Sequence, residues 1–457
     1  MSAGKGGLPL ARRWRCGGTV LDLGRPRVMG VVNVTPDSFS DGGTHAGAAE
    51  AVAWGMRLLD EGADILDVGG ESTRPGFTAV DPAQERERVL PVVRELAAAG
   101  ALVSIDTRHA EVAVAALEAG ARIVNDVSGF TDPAMVEAVA AGDCGCVLMH
   151  AAPGALGGPV PAGHTRDPEA FVGDVEGFLL KGACALEAAG VARERICLDA
   201  GPGFGTDACQ DLAVQRATGR LARLGYPYLC AVSRKRFVGA LSGANPALRR
   251  DAASVGVALA AVEAGARVVR VHDVAATAEA LATFAACRGL VEPRRAFIAL
   301  GANLGDRLAA LRGAVSSIAS LPLTSVVAAS DVYDTEPAYL DGQPSFANAV
   351  LEVRTGLHPM ALLEALLAVE AGAGRVRTVA NGPRPLDLDL LWIEGEAHAG
   401  ARLTLPHPRM GEREFVLRPL ADLVGDVEGF CVGEGVAVAP AEGRLGRVTE
   451  DLGRLIP

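Results

Sequence analysis

The 457-residue sequence lacks an excess of positive charge: 43 Lys and Arg stand against 55 Asp and Glu, a formal net charge of −12. Nucleic acids and anionic membranes are held by dense basic surfaces that displace counterions, so neither is an expected partner and any phosphate site must be local. Paired cysteine motifs are missing too. The nine cysteines run from Cys16 to Cys431, and the closest pair, Cys144-Gly-Cys146, has neither the redox nor the zinc-ribbon spacing. They read as thiols of a reducing cytosol, with Cys197, Cys209 and Cys230 in the core. Nowhere do about 18 uncharged apolar residues run together. Met1 to Gly18 carries Arg12, Arg13 and Arg15 but no apolar segment, so the expectation is a cytoplasmic protein, neither secreted nor membrane-spanning. Gly-x-x-x-x-Gly-Lys-Ser/Thr is also absent, which excludes a P-loop as a nucleotide site.

What is present is a repeat. From Arg27 to Val274 short β-branched runs that end in a polar residue alternate with Ala/Leu/Glu-rich stretches of helical period. The predicted strands are Val28–Val34, Ala63–Val68, Leu102–Asp106, Arg122–Asp126, Cys146–His150, Ile196–Asp199, Tyr228–Val232 and Arg267–Val271. Eight β/α units in about 250 residues have the size and count of a (β/α)8 TIM barrel, with a doubly wound open sheet as the other α/β solution. The strand ends carry Asn33, Asp67, Asp106, Asn125, His150, Asp199, Ser233, Arg234, Lys235, Arg270 and His272. Any one of these could be a helix cap. So many at the functional end of a barrel point to a polar pocket.

The repeat stops near Ala285, and Val291-Glu-Pro-Arg-Arg295 precedes a new apolar run. We therefore expect a barrel over residues 1–288, a linker over 289–295 and a second domain over 296–457. Its pattern predicts strands at Ala296–Leu300, Val326–Tyr333, Ala347–Arg354 and Leu386–Trp392 with helices over Asp306–Ala319 and Pro359–Ala371, a ferredoxin-like α+β order. In Leu386-Asp387-Leu388-Asp389-Leu390, residues two apart share a face, so Asp387 and Asp389 stand together opposite leucines that enter the core. Two such carboxylates could hold Mg2+ ions on a nucleoside triphosphate, with Arg375, Arg377 and Arg384 close by in sequence. His45, His109, His164, His358 and His398 are expected on loops or the surface.

The motifs of the first part resemble those of dihydropteroate synthases in that family's order: Met29-Gly-Val-Val-Asn33-Val-Thr-Pro-Asp37, Asp67-Val-Gly-Gly-Glu-Ser-Thr73-Arg74-Pro75-Gly76, Ser104-Ile-Asp106, Asn125-Asp126, Gly203-Phe204-Gly205, Ser233-Arg-Lys235-Arg236 and Arg270-Val-His272. The resemblance implies that p-aminobenzoate displaces pyrophosphate from a pyrophosphorylated dihydropterin. It further implies that Asp106, Asn125, Asp199 and Lys235 bind the pterin, with Lys235 also catalytic. Asn33, Thr73, Arg270 and His272 would meet the pyrophosphate, Asn33 through Mg2+. Thr73, Arg74, Pro75, Phe204, Ser233 and Arg236 would shape the p-aminobenzoate pocket. Ala200 and Thr206 depart from the family's Pro and Lys. A pterin-binding methyltransferase barrel is an alternative that would keep the pterin pocket.

Tyr333-Asp-Thr335-Glu-Pro337, Gln343-Pro-Ser-Phe346-Ala-Asn348, the Asp387–Asp389 strand and Leu405-Pro-His407-Pro-Arg-Met-Gly-Glu-Arg413-Glu-Phe415 are similar to hydroxymethyldihydropterin pyrophosphokinases. That likeness implies pterin contacts from Thr335, Phe346, Asn348 and Phe415, and ATP contacts from Arg375, Arg377, Arg384, His407 and Arg413. Catalysis would rest on Arg375, Arg384 and the Mg2+-holding pair Asp387 and Asp389. Ala380-Asn381 stands where this family has Arg-Trp, which leaves a non-catalytic second module as the alternative. A homodimer through the barrel is the implied assembly.

Overall fold

The computed structural model describes residues 8–35, 44–71, 80–156, 167–340, 342–375 and 382–456. The sequence-predicted residues Thr73, Arg74, Pro75, Arg377, Ala380 and Asn381, and His164, lie outside them. The chain divides into two compact units, Met1–Leu290 with Ala399–Ala401, and Val291–His398 with Arg402–Pro457. Strand pairing in the second unit already starts at Arg294, inside the stretch read as linker.

In the first unit a hairpin, β1 (Arg13–Cys16) and β2 (Thr19–Asp22), precedes eight parallel strands: β3 (Arg27–Asn33), β4 (Ile65–Gly69), β5 (Val103–Asp106), β6 (Ile123–Asp126), β7 (Gly145–Met149), β8 (Ile196–Asp199), β9 (Tyr228–Cys230) and β10 (Val268–Val271). They close into a barrel in sequence order, β10 pairing with β3. The eight predicted strands are all there, with ends shifted by a residue or two. Three of the intervening helices begin in the same way, with Asp81, Asp132 and Asp167 capping the first turn and proline directly behind each. The aspartate oxygen accepts an otherwise orphaned N–H, and proline has none to satisfy.

Successive side chains on a strand point to opposite faces, and in a closed barrel that sorts every strand into an inner and an outer set. Outward residues such as Val32, Leu66, Ile105, Val124, Leu148, Leu198 and Val269 are buried against the helices. Inward residues form two layers. The lower layer, Met29, Ile65, Ile123, Val147, Cys197, Leu229 and Val268, packs with Trp14, Cys16, Leu21 and Leu23 of the hairpin region, which close this end of the barrel. Trp14 is fully buried, and its indole N–H donates to the Arg195 carbonyl at 3.0 Å. The upper inward layer is polar.

In the second unit the elements are β11 (Arg294–Ala302), a helix Arg307–Ala319, β12 (Thr324–Ala329), β13 (Asp331–Thr335), β14 (Phe346–Thr355), a helix Pro359–Gly372, β15 (Asp387–Ile393), helices Glu414–Val424 and Val427–Gly433, and β16 (Val448–Arg454). The antiparallel sheet runs β15-β11-β14-β13-β16, with β12 also on β14, which is the predicted ferredoxin-like order plus one edge strand. The strand expected over Val326–Tyr333 is two strands, broken at Ser330, whose hydroxyl accepts the Val350 amide at 2.9 Å. The sheet is covered on both faces. Ile298, Leu300, Leu386, Leu388 and Leu390 join the helices Arg307–Ala319 and Pro359–Gly372, whereas Phe297, Leu391 and Trp392 join Val416, Leu417 and Leu420. No described helix is long and apolar enough to cross a membrane.

Among the cysteines, Cys197 and Cys230 are buried as expected, but Cys209 is exposed in the first turn of the helix Ala208–Arg216. Gln210 and Asp211 take the inward face of that turn, which leaves the Cys209 thiol at the surface.

Replacing Trp14 with Ala should empty the lower end of the barrel and lower this unit's stability by about 3–5 kcal/mol, read as a drop in its urea-unfolding midpoint. An unchanged midpoint would show that the hairpin is not part of the barrel core.

Candidate functional sites

The alternation that sends Met29 inward also sends Asn33 inward, two pairs of residues further up β3. The same count places Asp67, Asp106, Asn125, Asp199 and Arg270 in the upper layer. Residues of the opposite parity leave it. His150 is buried against Phe171 and Phe178 in edge-on ring contacts at 5.6 and 5.2 Å, under the outer helices, so it does not face the pocket expected of it. Arg234 likewise turns to Asp251, with its Nε and Nη2 at 2.6 and 2.9 Å from the two carboxylate oxygens.

Arg270 organises the layer. Its Nε donates to Asp67 Oδ2 and its Nη2 to Asp106 Oδ2, each at 2.6 Å, and Asn125 Nδ2 reaches the same Asp67 oxygen at 3.1 Å. The Asp67 side chain is fully buried. Burial is the largest influence on Asp106 and pushes its carboxyl up to about 7, opposed by the Arg270 guanidinium and helped by Asp67. Asp199 is raised as well, chiefly by burial, although it accepts the Gly201 amide at 2.8 Å. Asn125 Oδ1 and Asp67 Oδ1 are buried with no protein partner among the described residues. Two acceptors left in that state cost free energy unless a bound donor meets them.

Burial pulls the Lys235 amine down to about 8, while Asp199 opposes that shift. Its Nζ lies 4.2 Å over the Phe204 ring. His272 and Ser233, assigned in sequence to different subsites, are partners: Nδ1 and Oγ are 3.1 Å apart, and the His272 amide donates to the same hydroxyl at 3.2 Å. Asn33 is half-buried and Arg236 exposed.

In the second unit an open pocket is lined by Thr335, Glu336, Ala338, Tyr339, Gln343, Phe346, Asn348, Arg384, Asp387 and Phe415. It gathers all four residues expected to hold a pterin. Asn348 is anchored by its Nδ2 donating to Thr335 Oγ1 at 2.7 Å. Gly301 faces it across the β11/β14 pair, and a Cβ there would come within 2.8 Å of Asn348 Oδ1, so only glycine leaves the amide its place.

Asp387 and Asp389 do share one face of β15, with Leu388 and Leu390 buried between and beyond them. Asp387 is raised by burial and then by the Asp389 charge. Arginines hold both: Arg375 and Arg384 on Asp387, the latter at 3.1 Å, and Arg413 on Asp389 at 2.9 Å. His407 is lowered by burial, with Asp389 opposing.

Three contributors escaped the sequence reading. Glu370 reaches from the helix Pro359–Gly372 to Arg375 and accepts the Leu388 amide at 2.7 Å, fixing the start of β15. Tyr339 accepts from Arg413 Nε at 3.0 Å. Asn303 accepts the Arg384 amide at 2.8 Å and donates to Gln343 and Pro344, so it fastens two walls of the pocket together. A Gly-Asn turn after a strand signalled Asn303, whereas a lone Glu in a helix and a Tyr in a loop carry no signal.

Comparison with known proteins covers both units. The pterin binding enzyme family model matches residues 29–272, and the 7,8-dihydro-6-hydroxymethylpterin-pyrophosphokinase model matches residues 297–425. Dihydropteroate synthase of Neisseria meningitidis serogroup C is 44% identical over 297 residues, 64% of this chain and 98% of that protein. The Mycobacterium leprae dihydropteroate synthase is 45% identical over 267 residues, 57% of this chain and 93% of its own length. Among solved structures, Xanthomonas albilineans dihydropteroate synthase with 4-aminobenzoic acid superposes with a TM-score of 0.57 at 45% identity, covering 61% of this chain and 98% of that one. The Burkholderia cenocepacia enzyme complexed with 7,8-dihydropteroate gives 0.54 at 41% identity over 62% and 98% of the two chains. The barrel with its buried carboxylates, and the second unit with its paired aspartates, are thus met independently by two pterin families: the chain belongs to the pterin binding enzymes as a dihydropteroate synthase, and carries a hydroxymethyldihydropterin pyrophosphokinase domain C-terminal to the barrel in sequence.

Proposed function

We propose that the second unit transfers pyrophosphate from ATP to 6-hydroxymethyl-7,8-dihydropterin, and that the barrel condenses the product with p-aminobenzoate to 7,8-dihydropteroate, releasing pyrophosphate. The observation that carries this reading is the upper barrel layer, where buried acceptors without donors among the described residues stand beside a lysine and an arginine. A pterin is a flat heterocycle with a row of N–H donors, and Asp106, Asn125 and Asp199 offer the matching acceptors. Lys235 donates to its carbonyl edge. Arg270 holds Asp67 through Nε and Asp106 through Nη2, and with His272, Ser233 and Asn33 it would stabilise the departing pyrophosphate. The amine of p-aminobenzoate attacks the methylene, the C–O bond breaks, and the electron pair leaves on the pyrophosphate. Phe204, Arg236 and the segment containing Thr73, Arg74 and Pro75 complete that reading of the p-aminobenzoate pocket.

In the second unit Thr335, Asn348, Phe346 and Phe415 would hold the pterin while Arg375, Arg377, Arg384, His407 and Arg413 meet ATP. The pterin hydroxyl attacks the β-phosphorus and AMP leaves. Asp387 and Asp389 fit Mg2+: burial and the neighbouring Asp389 charge raise Asp387, and a divalent ion would relieve that repulsion. When bound, it would neutralise the triphosphate and orient it, with the arginines now on these aspartates turning to phosphate oxygens. At Asn33 the protein supplies one amide oxygen, so an ion there would be carried mainly by the pyrophosphate. A cytoplasmic homodimer through the barrel belongs to this proposal and rests on the family resemblance.

Two results are expected. Arg270→Met leaves Asp67 and Asp106 buried without a counter-charge, which costs about 3–5 kcal/mol near neutral pH. Burial raises the Asp106 carboxyl in the folded state, and a carboxyl so raised favours that state when protonated, so the loss should be small in mild acid and grow as pH rises toward and past 7. Thermal unfolding against pH checks this, and a loss independent of pH would contradict it. Replacing Asp387 and Asp389 together with Ala should abolish pyrophosphokinase activity while condensation of supplied pyrophosphorylated pterin with p-aminobenzoate continues near the wild-type rate. Surviving pyrophosphokinase activity would refute the metal assignment, and loss of both reactions in a folded protein would refute independent catalysts.

A further inference from the structure

Asp211 lies in no motif singled out in the sequence, on the helix Ala208–Arg216 behind the barrel rim. Its environment is not that of a surface helix residue. It is 2% exposed, and its Oδ1 accepts both the Gly203 amide at 2.8 Å and the Thr206 hydroxyl at 2.5 Å. The Thr206 hydroxyl oxygen is itself 2.8 Å from the Gly203 nitrogen, so three groups converge on the start of the turn that carries Phe204. Gly203 has φ +84°. A Cβ on it would stand 3.0 Å from Lys235 Cδ and 3.6 Å from Lys235 Nζ. The lysine therefore runs directly over the backbone that Asp211 holds, and its ammonium rests on the Phe204 ring.

We propose that Asp211 is a positioning residue of the condensation, fixing the turn that lays Phe204 against Lys235 and supplying the counter-charge behind that lysine. The proposal rests on the reading of Lys235 as a donor to the pterin. The groups that face Lys235 are Asp199 of β8, Asp106 of β5, Arg270 of β10 and Asp211 itself, with Arg236 acting on Asp211 from the adjoining helix. Burial favours the neutral amine, Arg270 favours it further, and the three carboxylates oppose both. A neutral amine can accept but no longer offers the cationic donor that a pterin carbonyl needs, so the working range of the barrel should end on the alkaline side where Lys235 loses its proton. Thr206 belongs to the same device. A hydroxyl there bonds Asp211 and leaves its charge facing the lysine, whereas a cation at this position would compete for it.

Two substitutions separate the geometry from the charge. Asp211→Asn keeps an Oδ1 acceptor for Gly203 and Thr206 and removes the charge. Thr206→Val removes the hydroxyl and keeps the charge. With pyrophosphorylated pterin and p-aminobenzoate as substrates of the full chain, kcat/KM is followed from neutral to alkaline pH. For D211N the alkaline limb should move about one unit toward neutrality with KM for p-aminobenzoate nearly unchanged. For T206V the limb should stay while that KM rises several-fold, since Phe204 is less firmly held. A D211N limb coincident with that of the wild type, or a T206V limb that moves with it, overturns the inference. A wild-type chain without any condensation would instead refute the reading of the barrel on which it rests.

Discussion

One guanidinium makes the upper half of the barrel possible. Asp67 and Asp106 enter a space closed by strands on every side, where an unpaired carboxylate would lose several kcal/mol of hydration. Arg270 spans both, and through Asp67 it also fixes Asn125. The same side chain that lets the carboxylates be buried holds them oriented toward the barrel mouth, so stability and recognition are one arrangement. The lower layer, apolar and capped by Trp14, gives that arrangement a rigid floor.

The second unit meets the like-charge problem with the opposite solution. Asp387 and Asp389 stay at the edge of a pocket, and three arginines, Arg375, Arg384 and Arg413, neutralise them from separate segments. Glu370 then pairs with the Arg375 guanidinium and accepts the Leu388 amide, while Asn303 accepts the backbone amide of Arg384. Buried pairs on rigid strands suit a site that reads a flat ring, whereas ion pairs that can exchange partners suit one that must take up and release a triphosphate.

Much of this was legible in the sequence because strand alternation is a strict rule. Once the strand ends are placed, Asn33, Asp67, Asp106, Asn125, Asp199 and Arg270 fall inward, and Asp387 and Asp389 fall together. The same rule, applied to parity as well as position, would have turned His150 and Arg234 outward; counting strand ends without it put them in the pocket. What remained hidden has no period. Asp211 and Glu370 are single acids on helices whose importance comes from backbone amides outside their own helices. The edge strand β16 alternates too weakly, with most of its residues exposed, to stand out from a loop.

The central claim is that this one chain both makes and consumes an activated pterin. Purified protein given 6-hydroxymethyl-7,8-dihydropterin, ATP, Mg2+ and p-aminobenzoate should produce 7,8-dihydropteroate and AMP, with no product when ATP is withheld. Dihydropteroate formed only when pyrophosphorylated pterin is supplied ready-made would contradict the claim and reduce the second unit to a binding module.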